Sequence, residues 1–427
     1  MATLIPLAEP VLHAPRRPPG DLPGSPSGSA PGAPAGFALW ALGFRPFYLA
    51  AALLAAISVP LWALQVTGWL GGAYLRGPVW HAHEMLFGFA LAVVTGFLFT
   101  AGQNWSGQPT PRGRQLMALA ALWLAARVLV LTPWALAAAL ANVAFPLAAA
   151  WGLGRALWAG GNRRNYFFVA LLALFSVAAG LVHAVQLGWL AAPGAAWQHT
   201  GLQAGLDVML LIMAVMAGRV VPMFTNNGVP GAHARRVPWV EQAAIATPLL
   251  LLALELGLAL LPAGAPALRA LLGMAALAAA LVHAQRLWLW QPWAARANPL
   301  VWVLHAAYAF IPLHLLLRAL AAAGWLAPGA ATHALTVGAI GTLCLGMMTR
   351  TARGHTGRPL RADRADLACY ALVIGAALLR VLLPLAWPAA YGAAMLASAL
   401  LWSAAFGLYA LHYGPWLCRS RADGRPG

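Results

Sequence analysis

Runs of apolar residues recur from Phe37 almost to the end of the chain, parted by short breaks rich in Gly and Pro. Each run is about 20 residues long, the length an α-helix needs to cross a hydrocarbon core of about 30 Å. Lipid offers no partner for a backbone N–H or C=O, so a spanning segment must be a helix or part of a closed barrel. The runs do not alternate in polarity as barrel strands do. The expectation is an all-α integral membrane protein of about twelve spans: 38–65, 79–101, 114–131, 134–157, 165–190, 199–220, 239–261, 266–290, 298–322, 332–352, 365–386 and 389–413. The breaks carry turn chemistry, among them Gly71-Gly72, Pro133, Pro193-Gly194, Pro328-Gly329 and Pro388.

Composition agrees. Hydrophobic residues make up 62% of the chain and charged ones 8%, where a water-soluble domain carries roughly a quarter charged. Residues 1–36 are rich in Pro, Gly, Ala and Ser and cannot bury a core, so they read as a disordered tail. Residues 37–415 form the membrane domain, and 416–427 a short basic tail.

The net charge of +17 comes wholly from arginine, placed between the apolar runs rather than on one amphipathic face. That argues for topology and against nucleic acid. Alternate connections hold Arg112 and Arg114; Arg155, Arg163 and Arg164; Arg219, Arg235 and Arg236; Arg286 and Arg296; and Arg350, Arg353, Arg358, Arg361 and Arg364. The opposite connections are nearly bare, apart from Arg76, Arg269 and Arg318. The bias places both termini in the cytoplasm and requires an even number of spans.

The second and tenth spans share a layout. Glycines recur 5, 13 and 24 positions after His83 (Gly88, Gly96, Gly107) and after His333 (Gly338, Gly346, Gly357), with Pro at 26 in both. The sixth span opens with His199 and ends in Gly228-Val229-Pro230. Helices two, six and ten are four apart, which suggests three related groups of four.

Of twelve histidines, His81, His83, His183, His199, His314 and His333 lie toward one face on five different helices. Imidazole is a ligand for haem iron and copper, and bundle cores assemble such sites from facing helices. His81 and His83 point about 200° apart on a regular helix, so one alone can serve a given metal. The alternative is that interfacial histidines simply sit among headgroups. Glu84 and Asp207 are the carboxylates placed to orient a histidine or carry protons, with Arg127 and Arg380 as the cations to pair with them. His283 and His305 lie toward the other face and read as packed core residues. Cys344, Cys369 and Cys418 have no metal or redox spacing.

Five segments together resemble the NnrS family: Gly43-Phe44-Arg45-Pro46-Phe47-Tyr48, Trp80-His81-Ala82-His83-Glu84-Met85-Leu86-Phe87-Gly88, Asn104-Trp105-Ser106-Gly107, Arg219-Val220-Val221-Pro222-Met223-Phe224-Thr225 and Gly354-His355-Thr356-Gly357-Arg358-Pro359. Tyr48 departs from the Phe expected there. The resemblance implies a bacterial inner-membrane protein that carries haem and copper and serves the response to nitric oxide, in denitrification or nitrosative stress. The substrate implied is nitric oxide or a nitrosylated iron species, reduced with electrons from an unknown donor.

The four-helix period is similar to the arrangement of haem–copper oxidases. On that likeness His83 and His333 are expected as axial haem ligands, and His81, His183 and His199 as candidates for copper or a second haem. Arg350, Arg353 and Arg358 with His355 are candidates to hold haem propionates or an anionic substrate, or are topology arginines alone. The competing reading is a proton-coupled transporter without metal, using Glu84 and Asp207. A sensor is a third reading, weakened by the lack of a signalling segment.

Overall fold

A computed structural model describes residues 36–425 except 70, 191–193 and 261–264. The expected tail over 1–36 lies outside these, apart from Gly36. Twelve long helices and no strand are formed among the described residues. They are α1 (Phe44–Val66), α2 (Gly77–Ser106), α3 (Arg114–Leu129), α4 (Ala135–Ala159), α5 (Phe167–Gln186) and α6 (Gly194–Gly228). The second half holds α7 (Pro238–Leu260), α8 (Pro266–Leu289), α9 (Pro299–Ala322), α10 (Pro328–His355), α11 (Arg364–Ala386) and α12 (Tyr391–Cys418).

Eleven are long and apolar enough to span a bilayer. The exception, α3, has 16 residues, or about 24 Å at 1.5 Å per residue. Hydrogen bonds show that it crosses nevertheless. The segment before α1 and the end of α12 meet: Ala38 N–H donates to Cys418 O at 2.8 Å, Ser420 N–H donates to Gly36 O at 3.1 Å, and Phe37 bridges Arg419. Both ends therefore sit at one face, here the terminal face, and the crossings are even in number. At the start of α3, Gly113 N–H donates to Trp40 O at this face (2.8 Å), while past its end Val130 O accepts from Leu75 N–H at the opposite, distal face (3.1 Å).

The helices sort into an inner and an outer set. Over their most apolar stretches α2 and α6 are 83% buried and α10 72%, against 22% for α7 and 33% for α8 and α11. The inner three are every fourth helix, as the sequence period suggested. Leu140, Val177, Leu281 and Leu400 stand exposed on the outside, a surface that lipid must cover. The inner helices run longer than expected: α6 continues to Gly228 through Arg219, Pro222 and Asn226, because protein rather than lipid surrounds that stretch. α12 likewise reaches Cys418, beyond the boundary expected at 415.

The likeness of α2 and α10 reaches the backbone. Each carries a π-helical segment that starts at the residue after its histidine, Glu84–Ala90 after His83 and Ala334–Gly341 after His333. Such wide turns expose backbone groups and favour functional sites; here Trp123 Nε1–H of α3 donates to Gly88 O at 3.0 Å. The paired glycines have paired reasons. A Cβ on Gly88 would lie 2.7 Å from Arg127 Nη1, and one on Gly338 would run into the Phe310 ring. A Cβ on Gly96 would come within 3.0 Å of Phe47 of α1, and one on Gly346 within 3.0 Å of Val303 and Leu304 of α9. Gly107 and Gly357 end their helices at φ +65 and +73. α6 has no π segment.

The last pair yields a prediction. Gly107→Ala meets open space and is expected to cost about 1 kcal/mol for its left-handed backbone. Gly357→Ala adds a Cβ 2.7 Å from Asp423 Cγ and must also displace the chain after α12. Thermal unfolding in detergent should show the Gly357 variant melting clearly lower than the Gly107 variant.

Candidate functional site

At the distal end of α2 two imidazoles meet. His83 of α2 and His183 of α5 bring their Nε2 atoms to 3.2 Å, with rings 4.9 Å apart at 76°. Both side chains are buried, at 0% and 1% exposure. The other nitrogen of each ring is engaged. His83 Nδ1 lies 2.9 Å from Glu84 Oε1, and His183 Nδ1 lies 3.3 Å from the Tyr74 hydroxyl. Tyr74 also stacks on His183 at 11° and donates to its carbonyl at 3.3 Å. Glu84 in turn accepts from Arg127 Nη1 at 2.7 Å, and Arg127 donates to Asn142 Oδ1.

This wiring constrains the protons. With Tyr74 O–H donating to the carbonyl, its oxygen accepts from His183 Nδ1–H; with Glu84 ionised, it accepts from His83 Nδ1–H. In those tautomers both Nε2 atoms present lone pairs to one another at 3.2 Å. Two lone pairs repel unless a cation lies between them, and imidazole nitrogens sit about 2.0–2.1 Å from a bound metal. An outer carboxylate or hydroxyl on the far nitrogen is the usual way a ligand histidine is oriented. Among the described residues no group of three or more His, Cys, Asp or Glu side chains is arranged around one point, so this pair stands as a two-imidazole site.

His81 turns away from His83, toward a cavity of about 380 Å³ walled by α1, α2, α10, α11, α12 and the distal end of α6. His333 of α10 stands on the same wall set, so the histidine that shares a cavity with His333 is His81 and not His83. The two-residue offset of His81 and His83 on α2 is what sends them to different sites. The His81 ring stacks on Trp62 at 5.1 Å, and its Nδ1 is buried without a hydrogen-bond partner. His333 Nδ1 donates to Gly329 O at 2.6 Å, which leaves Nε2 as the unprotonated nitrogen of a neutral ring. Arg380 also lines the cavity; it donates to the Tyr391 hydroxyl at 3.2 Å rather than pairing with a carboxylate as expected.

The remaining candidates fall elsewhere. His199 is exposed at the distal end of α6 and joins neither site. Asp207 accepts from both terminal nitrogens of Arg318, at 2.6 and 3.0 Å, and Arg318 also reaches Glu255 at 2.8 Å. Arg318, which broke the arginine pattern, is therefore the cation that Asp207 was expected to find in Arg380 or Arg127. His314 braces the first turn of α10 through Ala331 O at 2.8 Å. His283 bonds the Tyr308 hydroxyl at 2.6 Å and His305 the Thr225 hydroxyl at 2.8 Å, both as core residues.

Arg350, His355 and Arg358 all lie at the terminal end of α10, far along that helix from His333. Arg350 covers the Phe224 ring at 3.7 Å, Arg358 covers Trp416 at 4.3 Å, and His355 packs on Phe44 at 5.6 Å. Arg353 is bound to Asp363, Asp366 and Tyr413. Residues the sequence did not single out are Tyr74, Trp62 and Asn142; Tyr74 and Trp62 lie in a loop and a helix with no motif around them, and no signal marks them.

The family described as NnrS protein matches residues 38–421, the whole of the membrane domain. The chain belongs to the NnrS family. No curated protein matches the sequence. The segments that carried the resemblance now have places in the NnrS fold. Trp80–Gly88 supplies both distal sites and the π segment between them and the core. Gly43–Tyr48 and Gly354–Pro359 meet at the terminal face, where Arg45 Nη1 donates to Leu417 O at 3.0 Å and Arg419 O at 2.7 Å. In this NnrS protein the Trp80–Gly88 motif thus serves the buried histidines at one face, and Gly43–Tyr48 and Gly354–Pro359 serve chain closure at the other.

Proposed function

We propose that the protein binds nitric oxide at a haem and copper centre near its distal face, as part of a response to nitric oxide in a bacterial inner membrane. The observation that carries the reading is the His83–His183 pair, two buried Nε2 atoms at 3.2 Å whose far nitrogens are both held. A copper ion fits that donor set: imidazole suits copper, and two ligands leave positions open. Haem fits the neighbouring cavity, whose volume of about 380 Å³ is in the range of small-molecule sites. His333 has the wiring of an iron ligand, with Nδ1 fixed on a backbone carbonyl, and Arg380 stands ready for a propionate. His81 faces the same space with a free Nδ1 and orients a bound ligand. This replaces the expected His83–His333 axial pair.

Haem iron and copper supply an open coordination position for nitric oxide and a change of oxidation state. The chain's own part is to hold and shield them. Glu84, Arg127 and Asn142 fix the His83 ring; Tyr74 fixes that of His183; Trp62 fixes that of His81. Electrons come from a donor outside the chain. Arg112, Arg114, Arg235, Arg236, Arg358 and Arg361 cluster in the connections of the terminal face, which on the positive-inside rule is cytoplasmic.

A metal-free proton-coupled transporter fits less well, because Glu84 and Asp207 are both tied to arginines. The test is the visible spectrum and metal content of the purified protein with two variants. His333→Ala is expected to lose the haem band; His81→Ala is expected to keep it while changing how it shifts with nitric oxide. A colourless, metal-free and folded parent protein would overturn the proposal.

A further inference from the structure

Below the haem-sized cavity, on the axis of the three inner helices, lies a second and smaller one of about 60 Å³. Its lining presents no polar surface; it includes Val94 of α2, Met209, Met213 and Met216 of α6, and Leu343 and Cys344 of α10. The two cavities stack. The larger ends at Phe89, Leu206 and Ile340; the smaller begins at Val93, Met209 and Leu343. On each of the three helices the step is a single turn. One layer of side chains therefore separates them, and Met209 in that layer is unbranched and adaptable.

A cavity needs about 10–15 Å³ on this measure to hold one water, but water also needs two to four polar partners. Here there is room, but the only side-chain oxygen or nitrogen among the lining residues is the Tyr48 hydroxyl, fewer partners than a water needs. A space of that kind stays dry and takes small apolar bodies, which gain dispersion contacts with the walls. Toward the terminal end the lining is only half-buried, at Phe97, Val220 and Met347. One turn beyond Val220 and Met347, the Arg350 guanidinium lies over the Phe224 ring at 3.7 Å, so a charge and a ring stand between the cavity and that face.

We propose that the central cavity binds an apolar diatomic gas and passes it along the helix axis into the cavity of His81 and His333. The passage rests on the proposed function, which places the gas-binding metal there; the gas site itself does not. Apolar gas dissolves in lipid and protein interiors that exclude ions and water, so an apolar axial route favours the gas over ions.

Crystals of the full-length protein pressurised with xenon test the site. Xenon is expected among Val94, Met213 and Cys344, with higher occupancy in Met213→Ala and none in Ala217→Leu or Val94→Phe, which fill the space from different helices. Absence of xenon from the parent protein would overturn the site. The passage is tested by carbon monoxide association with the reduced protein. Both filled variants should keep the parent's visible spectrum and slow association at least about tenfold, the equivalent of a barrier raised by about 1.4 kcal/mol. Xenon binding with unchanged association in both variants would overturn the passage. Xenon binding in a protein that proves colourless would uphold the gas site and overturn the metal assignment.

Discussion

Arg127→Met is expected to destabilise the protein by about 3–5 kcal/mol, the cost of breaking one partner out of a buried ion pair. Arg127 is 6% exposed and Glu84 1%, and their contact is 2.7 Å. Methionine keeps most of the volume but leaves Glu84 as an uncompensated carboxylate at membrane depth, bonded only to His83. It also orphans Asn142 Oδ1, for which Arg127 is the donor. Gly88 was needed to admit this guanidinium, so its loss opens a hole in the π segment as well. The double variant Glu84→Gln/Arg127→Met removes the charge along with its partner and should recover most of the lost stability. Unfolding in detergent by heat or denaturant measures both. A single variant as stable as the parent would show that the pair contributes nothing to the fold.

On the proposed assignment, in which the two sites share no ligand, His83→Ala and His183→Ala are each expected to remove copper entirely while leaving the haem band in place. Metal analysis beside the visible spectrum reads both at once. Joint loss of haem and copper from either variant would mean that the two sites are one. Tyr74→Phe provides the finer test. Burial pushes the Tyr74 hydroxyl up to about 12, so it stays an O–H and a usable donor and acceptor at any working pH. Phenylalanine retains the stacked ring and removes only that oxygen, and such outer partners are worth about 10–100-fold in metal affinity. Copper should be bound more weakly, not lost.

The twelve crossings were legible in sequence because apolar length and arginine placement are both written along the chain. The arginine pattern even kept the short α3, which length alone rejects. The α2–α10 equivalence was legible too, since Gly88, Gly96 and Gly107 have duties that their counterparts repeat. The pairing of histidines was not. Counting positions along α2 shows that His81 and His83 diverge, but which neighbour each one meets depends on how α5 and α10 are arranged around α2. The π segments compound this, for they shift every following side chain by a fraction of a turn without a change in composition. Arg318 illustrates the same limit: its place near a helix end looked like a topology exception, while its partners Asp207 and Glu255 come from helices six and seven, far off in sequence.

The meeting of Arg45 with the end of α12 bears on how such a chain is made. The guanidinium enters the membrane at the start of the first helix, and its acceptor on Leu417 is synthesised 372 residues later. Throughout translation that cation has no carbonyl to bind, and the ring of helices stays open on one side. The contact therefore forms last: a product cut short before Leu417 lacks the carbonyls to which Arg45 Nη1 donates.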